Sequence, residues 1–469
     1  MDKSATSARA LAGATPATRD RYVDLLRVAS LATVVLGHWL MAAVSGDGMG
    51  NLLALVPQLQ VLTWALQVMP VFFFVGGFSH ALSYRSLERR SGGGRGVYAA
   101  FLRARLRRLL RPTLVFVLVW TAAALAVQTA GRGDGRLSGA ALRIVTQPLW
   151  FIGIYLAMVA LTPPLLRLHG RWGWGAFAAL AGAAAAVDVL RFAAGVPHVE
   201  FLNFAFVWLA VHQLGFLRAD GRTTPAGSTR TRLLRPAVLA AAGLAGAALL
   251  VAYGPYPLSM VGMPGEKVSN MAPPTLALLC HGLWLVGAVE LLGAPAARLL
   301  ARPRVWRGVV AANGIAMTAF LWHLTAMLGV YAAQIALGMR LPEPASAAWW
   351  AQVPVRLLLA AALTGLLVAV FRRFETPAPA APAPTRDPAR NPGAPTAATG
   401  SSPRAAAGTT LCLLGVLGLS MTGLGGLFEG HSATLVALPV TAPAAIAMAL
   451  GGWYLVERSA PSRSVRLRG

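Results

Sequence analysis

The sequence predicts an all-α fold: a polytopic transmembrane helix bundle with a ten-helix core and two further C-terminal transmembrane helices. Three observations predict it. Of 469 residues, 56% are hydrophobic and only 12% charged, with a mean hydropathy of +0.61. The apolar residues fall into runs of about 20, the length that crosses a bilayer core. A formal net charge of +25, nearly all arginine, lies mostly between those runs. In a water-soluble protein such charge would suggest nucleic acid. Here it sets topology and meets anionic headgroups, so membrane lipids are expected partners and nucleic acid is not.

Twelve spans are expected, near 24–44, 61–84, 111–130, 149–169, 174–192, 201–217, 235–253, 273–293, 308–338, 349–371, 408–428 and 433–456. The ninth is long enough to be tilted or broken. Most are rich in Ala, Gly and Leu, and small residues let such helices pack closely. Residues 1–20 hold no apolar core, so no cleavable signal peptide is expected. The stretch from Arg85 to Arg111 and the loops near 218–235 and 293–307 are arginine-rich, and they alternate with loops that are not. By the positive-inside rule both termini lie in the cytoplasm of a multi-pass inner-membrane protein. The loop 131–148, with Arg132, Arg136 and Arg143, fits this least well.

Domains follow from the same pattern. Residues 1–23 form a cytoplasmic tail and 24–374 the ten-helix domain. Residues 375–407 are Pro/Ala/Thr-rich and read as a disordered cytoplasmic linker. A two-helix hairpin follows over 408–457, then a basic tail over 458–469. The hairpin carries only Glu429 and His431 at its outer turn, which suggests packing, recruitment of a partner or a homodimer contact. Cys280 and Cys412 give neither a disulfide framework nor a zinc spacing, and no metal site is expected.

The first span reads DLLRVASLATVVLGHWL and carries Asp24, Arg27 and His38. Ionisable residues in such a segment are costly and face a protein interior or a wet cavity. Arg27 and His38 are eleven helical steps apart, about three turns, so they share one face roughly 16 Å apart. A snorkelling arginine and a satisfied core histidine are the bland alternative. An anion grip at the membrane surface with proton chemistry deeper in is the functional one. Asp24 precedes Arg27 by three residues and is placed to orient it.

In the second span, MPVFFFVGGFSHALSY, Pro70 is expected to kink the helix, and Gly76-Gly77 to admit another backbone or a ligand. His80 reads as interfacial, with a carrier phosphate as the alternative. In FLRARLRRLLRP, Arg105 and Arg108 share one helical face, and Arg107 and Arg111 make a second row. Two readings stand: a juxtamembrane helix on anionic lipid, or guanidinium forks for the phosphates of coenzyme A.

RYVDLLRVASLATVVLGHWL, PVFFFVGGF, RLRRLLRP, PLWFIGIYLAMVALTPPLL and NGIAMTAFLWHLTAM, taken together and in this order, resemble the membrane-integral acyltransferase-3 family over residues 21 to about 371. Its Arg-x10-His pattern is matched by Arg27 and His38, and its Arg-x-x-Arg by Arg105 and Arg108. The resemblance implies a transferase moving an acyl group from cytoplasmic acyl-CoA, acetyl-CoA being the expected donor. The acceptor would be a hydroxyl of a carbohydrate, a glycolipid or another extracytoplasmic compound, as in O-acetylation of cell-envelope sugars. It implies that His38 is the essential histidine and that the arginines serve the acyl-CoA, which is a co-substrate; no permanently bound cofactor is expected. Gly76-Gly77-Phe78 departs from the family's Ser-Gly-Phe, and Phe320 stands where a tyrosine is usual.

Other residues carry weaker signals. Trp150 and Phe151 open the fourth span as interfacial aromatics or as a sugar platform. Asp188 and Arg191 can pair with each other or bind a sugar. Glu290 is expected to pair with a basic neighbour, and His212 and His281 read as core histidines. His323, within the resemblance, is a candidate pocket residue. In the loop 255–274, Glu266, Lys267 and Asn270 are the polar contacts of a lid, unless the loop is a plain connector.

The expected mechanism places the donor's phosphates on Arg105 and Arg108 and makes His38 the general base or the acyl carrier. The rival reading is a twelve-span transporter. The long basic loop after span two and the linker after span ten favour the enzyme.

Overall fold

The computed structural model describes residues 13, 19–45, 48–91, 96–130, 136–223, 229–263, 265–375, 402–425, 432–435 and 438–459. Most of the expected linker, Glu429 and His431, Arg132 and the tail from 460 onward lie outside the described residues.

The fold is all-α, and among the described residues ten helices are long and apolar enough to cross a membrane, with an eleventh candidate that is bent. The helices occur in the expected order. They are α1 (Arg21–Met41), α2 (Met69–Ser91), α3 (Val97–Thr129), α4 (Leu149–Trp172), α5 (Trp174–Phe192), α6 (Asn203–Ala219) and α7 (Thr229–Tyr253). Then come α8 (Leu276–Leu291), α9 (Gly293–Leu300), α10 (Pro303–Asn313), α11 (Ala316–Ala336), α12 (Ala347–Phe371), α13 (Ser402–Thr422) and α14 (Ala442–Arg458). Helices α8 and α9 are the bent pair, meeting at 50°. The ninth expected span is broken at Gly314-Ile315 into α10 and α11. Helix α14 has 17 residues, the short end of what spans a bilayer. Two small hairpins, Ala42–Ser45 with Gly48–Asn51 and Ser432–Leu435 with Leu438–Thr441, are the strands among the described residues.

Two local expectations change. Pro70 is the second residue of α2 rather than a kink within it, since a first-turn proline gives up an N–H that has no helical partner. The basic stretch before the third span is continuous with it: α3 has 33 residues, about 50 Å, so its arginine-rich half extends the span.

The described chain divides into two compact units. The first is Met1–Ala81, Gly135–Ala141 and Pro164–Ala369. In it α7 lies against α8, where a Cβ on Gly243 or Gly287 would strike the facing backbone. Helix α2 crosses α6 in the same way. A Cβ on Gly77 would run into the carbonyl of His212, and one on Gly215 into that of Phe74. The Gly76-Gly77 step therefore admits a backbone.

The second unit is Leu82–Asp134, Leu142–Pro163 and Val370–Gly469. Its helices α13 and α14 meet through Gly408, Gly415 and Gly452, and both pack on α3.

Candidate active site

Helix α1 is anchored before its polar residues begin. Asp20 caps it, accepting from the backbone of Tyr22 at 3.0 Å and Val23 at 3.2 Å. Arg218 on α6 reaches Asp20 at 2.8 Å and also pairs with Glu290 on α8. Tyr22 donates to the Val289 carbonyl at 2.5 Å. These bonds tie the start of α1 to the ends of α6 and α8, which sets the depth of every later residue on it.

His38 lies 17 steps on, about 25 Å along the axis from Arg21. Its Nδ1 is 2.8 Å from Nε2 of His323 on α11, with ring planes 12° apart. His323 is fully buried, and its Nδ1 lies 2.5 Å from the Phe320 carbonyl. Trp39 donates to the His323 carbonyl at 3.0 Å, a second tie between the helices.

This chain dictates the tautomers. A carbonyl only accepts, so His323 Nδ1 carries a hydrogen. With both rings neutral, His323 Nε2 is then an acceptor, and His38 Nδ1 must donate to it. His38 Nε2 keeps its lone pair. Nothing among the described residues bonds that atom, and His38 is only half-buried. The arrangement is an imidazole held by its back nitrogen with its front nitrogen open, the layout a general base or nucleophile needs.

Arg27 is half-buried and donates to Ser79 Oγ on α2 at 3.0 Å. The partner Asp24 takes is Arg19, whose guanidinium holds the carboxylate at 2.6 and 3.1 Å. The spacing suggested that Asp24 orients Arg27. However, Arg19 lies in the non-helical segment before the cap and folds back over the first turn, which puts the fork on the carboxylate. The hydrogen bond to Asp24 raises the Arg19 pKa above its ordinary value.

In the second unit, Arg105 is half-buried, donates to Ser83 Oγ and lies 6.0 Å over the Phe101 ring. Arg107 gives its fork to Glu457 on α14, one bond being 2.7 Å. Arg108 and Arg111 are exposed.

A family model described as an acyltransferase domain matches residues 20–373. The chain belongs to the acyltransferase-3 family. The matched stretch covers α1 to α12 and excludes α13 and α14. No curated protein and no solved structure matches it.

The acyltransferase arranges its remaining polar residues as follows. His80 is fully buried, not interfacial, with Nδ1 3.0 Å from Nε2 of His212, which is equally buried. His281 meets the Trp64 carbonyl at 3.0 Å. Asp188 is buried and accepts from Asn203 at 2.8 Å, Tyr256 at 3.0 Å and the Leu276 backbone at 2.7 Å. Burial, and then this carboxylate, raise the Tyr256 pKa, which keeps its hydroxyl a donor. Asn270 organises the loop after α7, donating to the carbonyls of Pro257 and Ser259 and accepting from Thr275. Lys267 is exposed, and Trp150 is half-buried with its ring edge-on to Phe151. Sequence reasoning missed Ser79 and the Phe320 carbonyl. Ser79 had no signal beyond its place after the glycines. Phe320 had none, because a backbone acceptor has no sequence signature.

Proposed function

We propose that this membrane acyltransferase moves an acyl group from an acyl-CoA to a hydroxyl of a sugar-class acceptor at the far membrane face. The open Nε2 of His38, held by the His38–His323–Phe320 chain, is the observation that carries the reading. In the reaction His38 Nε2 takes the hydroxyl proton while the alkoxide oxygen bonds the thioester carbonyl carbon. The tetrahedral adduct then expels the coenzyme A thiolate, and His38 returns the proton to that sulfur. His323 stays neutral throughout and keeps the His38 ring in the tautomer that can accept. The same lone pair can instead take the acyl group first, giving an acyl-His38 that the hydroxyl resolves.

Arg105 and Arg108 are proposed to hold the donor's phosphates; guanidinium keeps its charge and binds phosphate through paired donors. Arg107 is less available, because Glu457 already occupies its fork. Both termini are proposed to be cytoplasmic; on that topology His38, roughly 25 Å from the start of α1, would lie past the midplane of a core about 30 Å thick. An acceptor would therefore approach from the outside.

The test is the purified protein in nanodiscs with radiolabelled acetyl-CoA, with and without a mixture of envelope glycans. Label should pass to glycan, and slow hydrolysis should occur without it. Both should fall by about a thousandfold in His38→Ala. Unchanged turnover in that variant refutes the reading.

A further inference from the structure

One intramembrane charge has no role in the reaction above. Arg356 lies inside the apolar run of α12 and is only 8% exposed. Its NH1 donates to the Tyr331 hydroxyl at 2.8 Å and its NH2 to the Trp349 carbonyl at 2.8 Å. Its guanidinium lies 4.5 Å from the Trp349 ring centre and 5.5 Å from that of Tyr331. None of these partners carries a negative charge. Two neutral acceptors and two ring faces offset only part of the cost of desolvating a guanidinium. A neutral side chain would brace the same hydroxyl and carbonyl at less cost. Among the described residues no carboxylate pairs with it, and an intramembrane charge of this kind reads by default as part of a functional site.

The surroundings agree. Arg356 lines a recess of about 310 Å³, open mouth included, together with Trp39, Tyr331, Trp349 and Met327. Trp39 joins this recess to the histidine pair, following His38 in α1 and donating to the His323 carbonyl. Three aromatic side chains beside one cation, set among aliphatic ones, suit a sugar ring that carries an acidic group.

We infer that the recess at Arg356 is the acceptor subsite and selects a sugar bearing an oxyanion, with the guanidinium gripping that group while a hydroxyl of the sugar faces His38. The inference rests on the proposed function for its link to His38, but the binding itself does not. The tryptophans in the recess supply a readout independent of turnover.

Tryptophan emission of the full chain in detergent is titrated with methyl β-D-glucuronide, glucose 6-phosphate and methyl β-D-glucoside. Wild type should show saturable quenching by one or both acidic sugars, at least tenfold tighter than by the neutral glucoside. Which acid binds tells carboxylate from phosphate. The preference should vanish in Arg356→Gln and persist in Arg356→Lys. Thermal melting of each variant shows that it is folded. If Arg356→Gln does not fold, salt dependence decides in wild type: acid-sugar binding should weaken several-fold between low and high ionic strength. No preference for acid in wild type, or an equal preference in folded Arg356→Gln, overturns the inference. Loss of acyl transfer in His38→Ala with the preference intact leaves it standing, and failure of the catalytic reading alone would show no His38 dependence of turnover.

Discussion

Nε2 of His323 lies 2.8 Å from Nδ1 of His38, and the two residues are 285 positions apart in the chain. The bond does more than hold two helices together. Its far end, at the Phe320 carbonyl, makes His38 Nδ1 the donor and leaves the lone pair on Nε2.

Replacing His323 should therefore impair the chemical step and spare donor binding. His323→Ala should lower kcat by about a hundredfold, with KM for acetyl-CoA within about twofold of wild type. His323→Gln, which can still accept from His38 Nδ1, should recover part of the loss. Steady-state kinetics on the three proteins checks this, and equal loss in both variants counts against a tautomer role.

The arginines of α3 should separate by partner. Arg105→Ala and Arg108→Ala should each raise KM for acetyl-CoA about tenfold. Arg107→Ala should leave KM nearly unchanged and cost under about 1 kcal/mol of stability, because its pair with Glu457 is on the surface. A double-mutant cycle with Glu457→Ala measures that pair, and donor titration measures the rest.

Asp188 should matter to stability rather than to substrate. Asp188→Ala strands the donors of Asn203, Tyr256 and Leu276. The loss should be about 1–3 kcal/mol or more, read as a lower melting temperature and faster proteolysis of the loop after α7. KM for the acceptor in the folded fraction should not move. A raised KM without a change in melting would instead put Asp188 in the substrate site.

Gly77 tests the crossing of α2 and α6. A Cβ there meets the His212 carbonyl, which is main chain and cannot swing aside. Gly77→Leu should lower the melting temperature by an amount equivalent to about 1–3 kcal/mol or more. Gly37→Leu, where a Cβ meets nothing within 4 Å, is the matched control and should be tolerated.

Much of the fold was legible in the residues, and the site less so. Hydropathy placed ten of the twelve expected spans and an eleventh on the bent pair, the twelfth falling short at α14, and the break in the ninth was visible in its length. Pro70 misled because a proline at the start of a helix and one inside it look alike until the helix boundary is known. Asp24 misled because the i,i+3 rule sees only residues within a helix, while Arg19 comes from outside it. His80 read as interfacial because its partner, His212, lies 132 residues on. Arg356 does carry a signal, as a lone charge in an apolar run.

The amino-acid order by itself determined that the protein crosses a membrane many times, and that Arg27 and His38 share one stripe of the first helix. Both are local properties: the free energy of burying some twenty neighbouring side chains, and the 3.6-residue period. Only the tertiary structure decided which polar groups meet. A buried imidazole, carboxylate or guanidinium must find a partner, since water is not there to serve. Which partner it finds depends on how distant helices cross, and no short stretch of sequence records that.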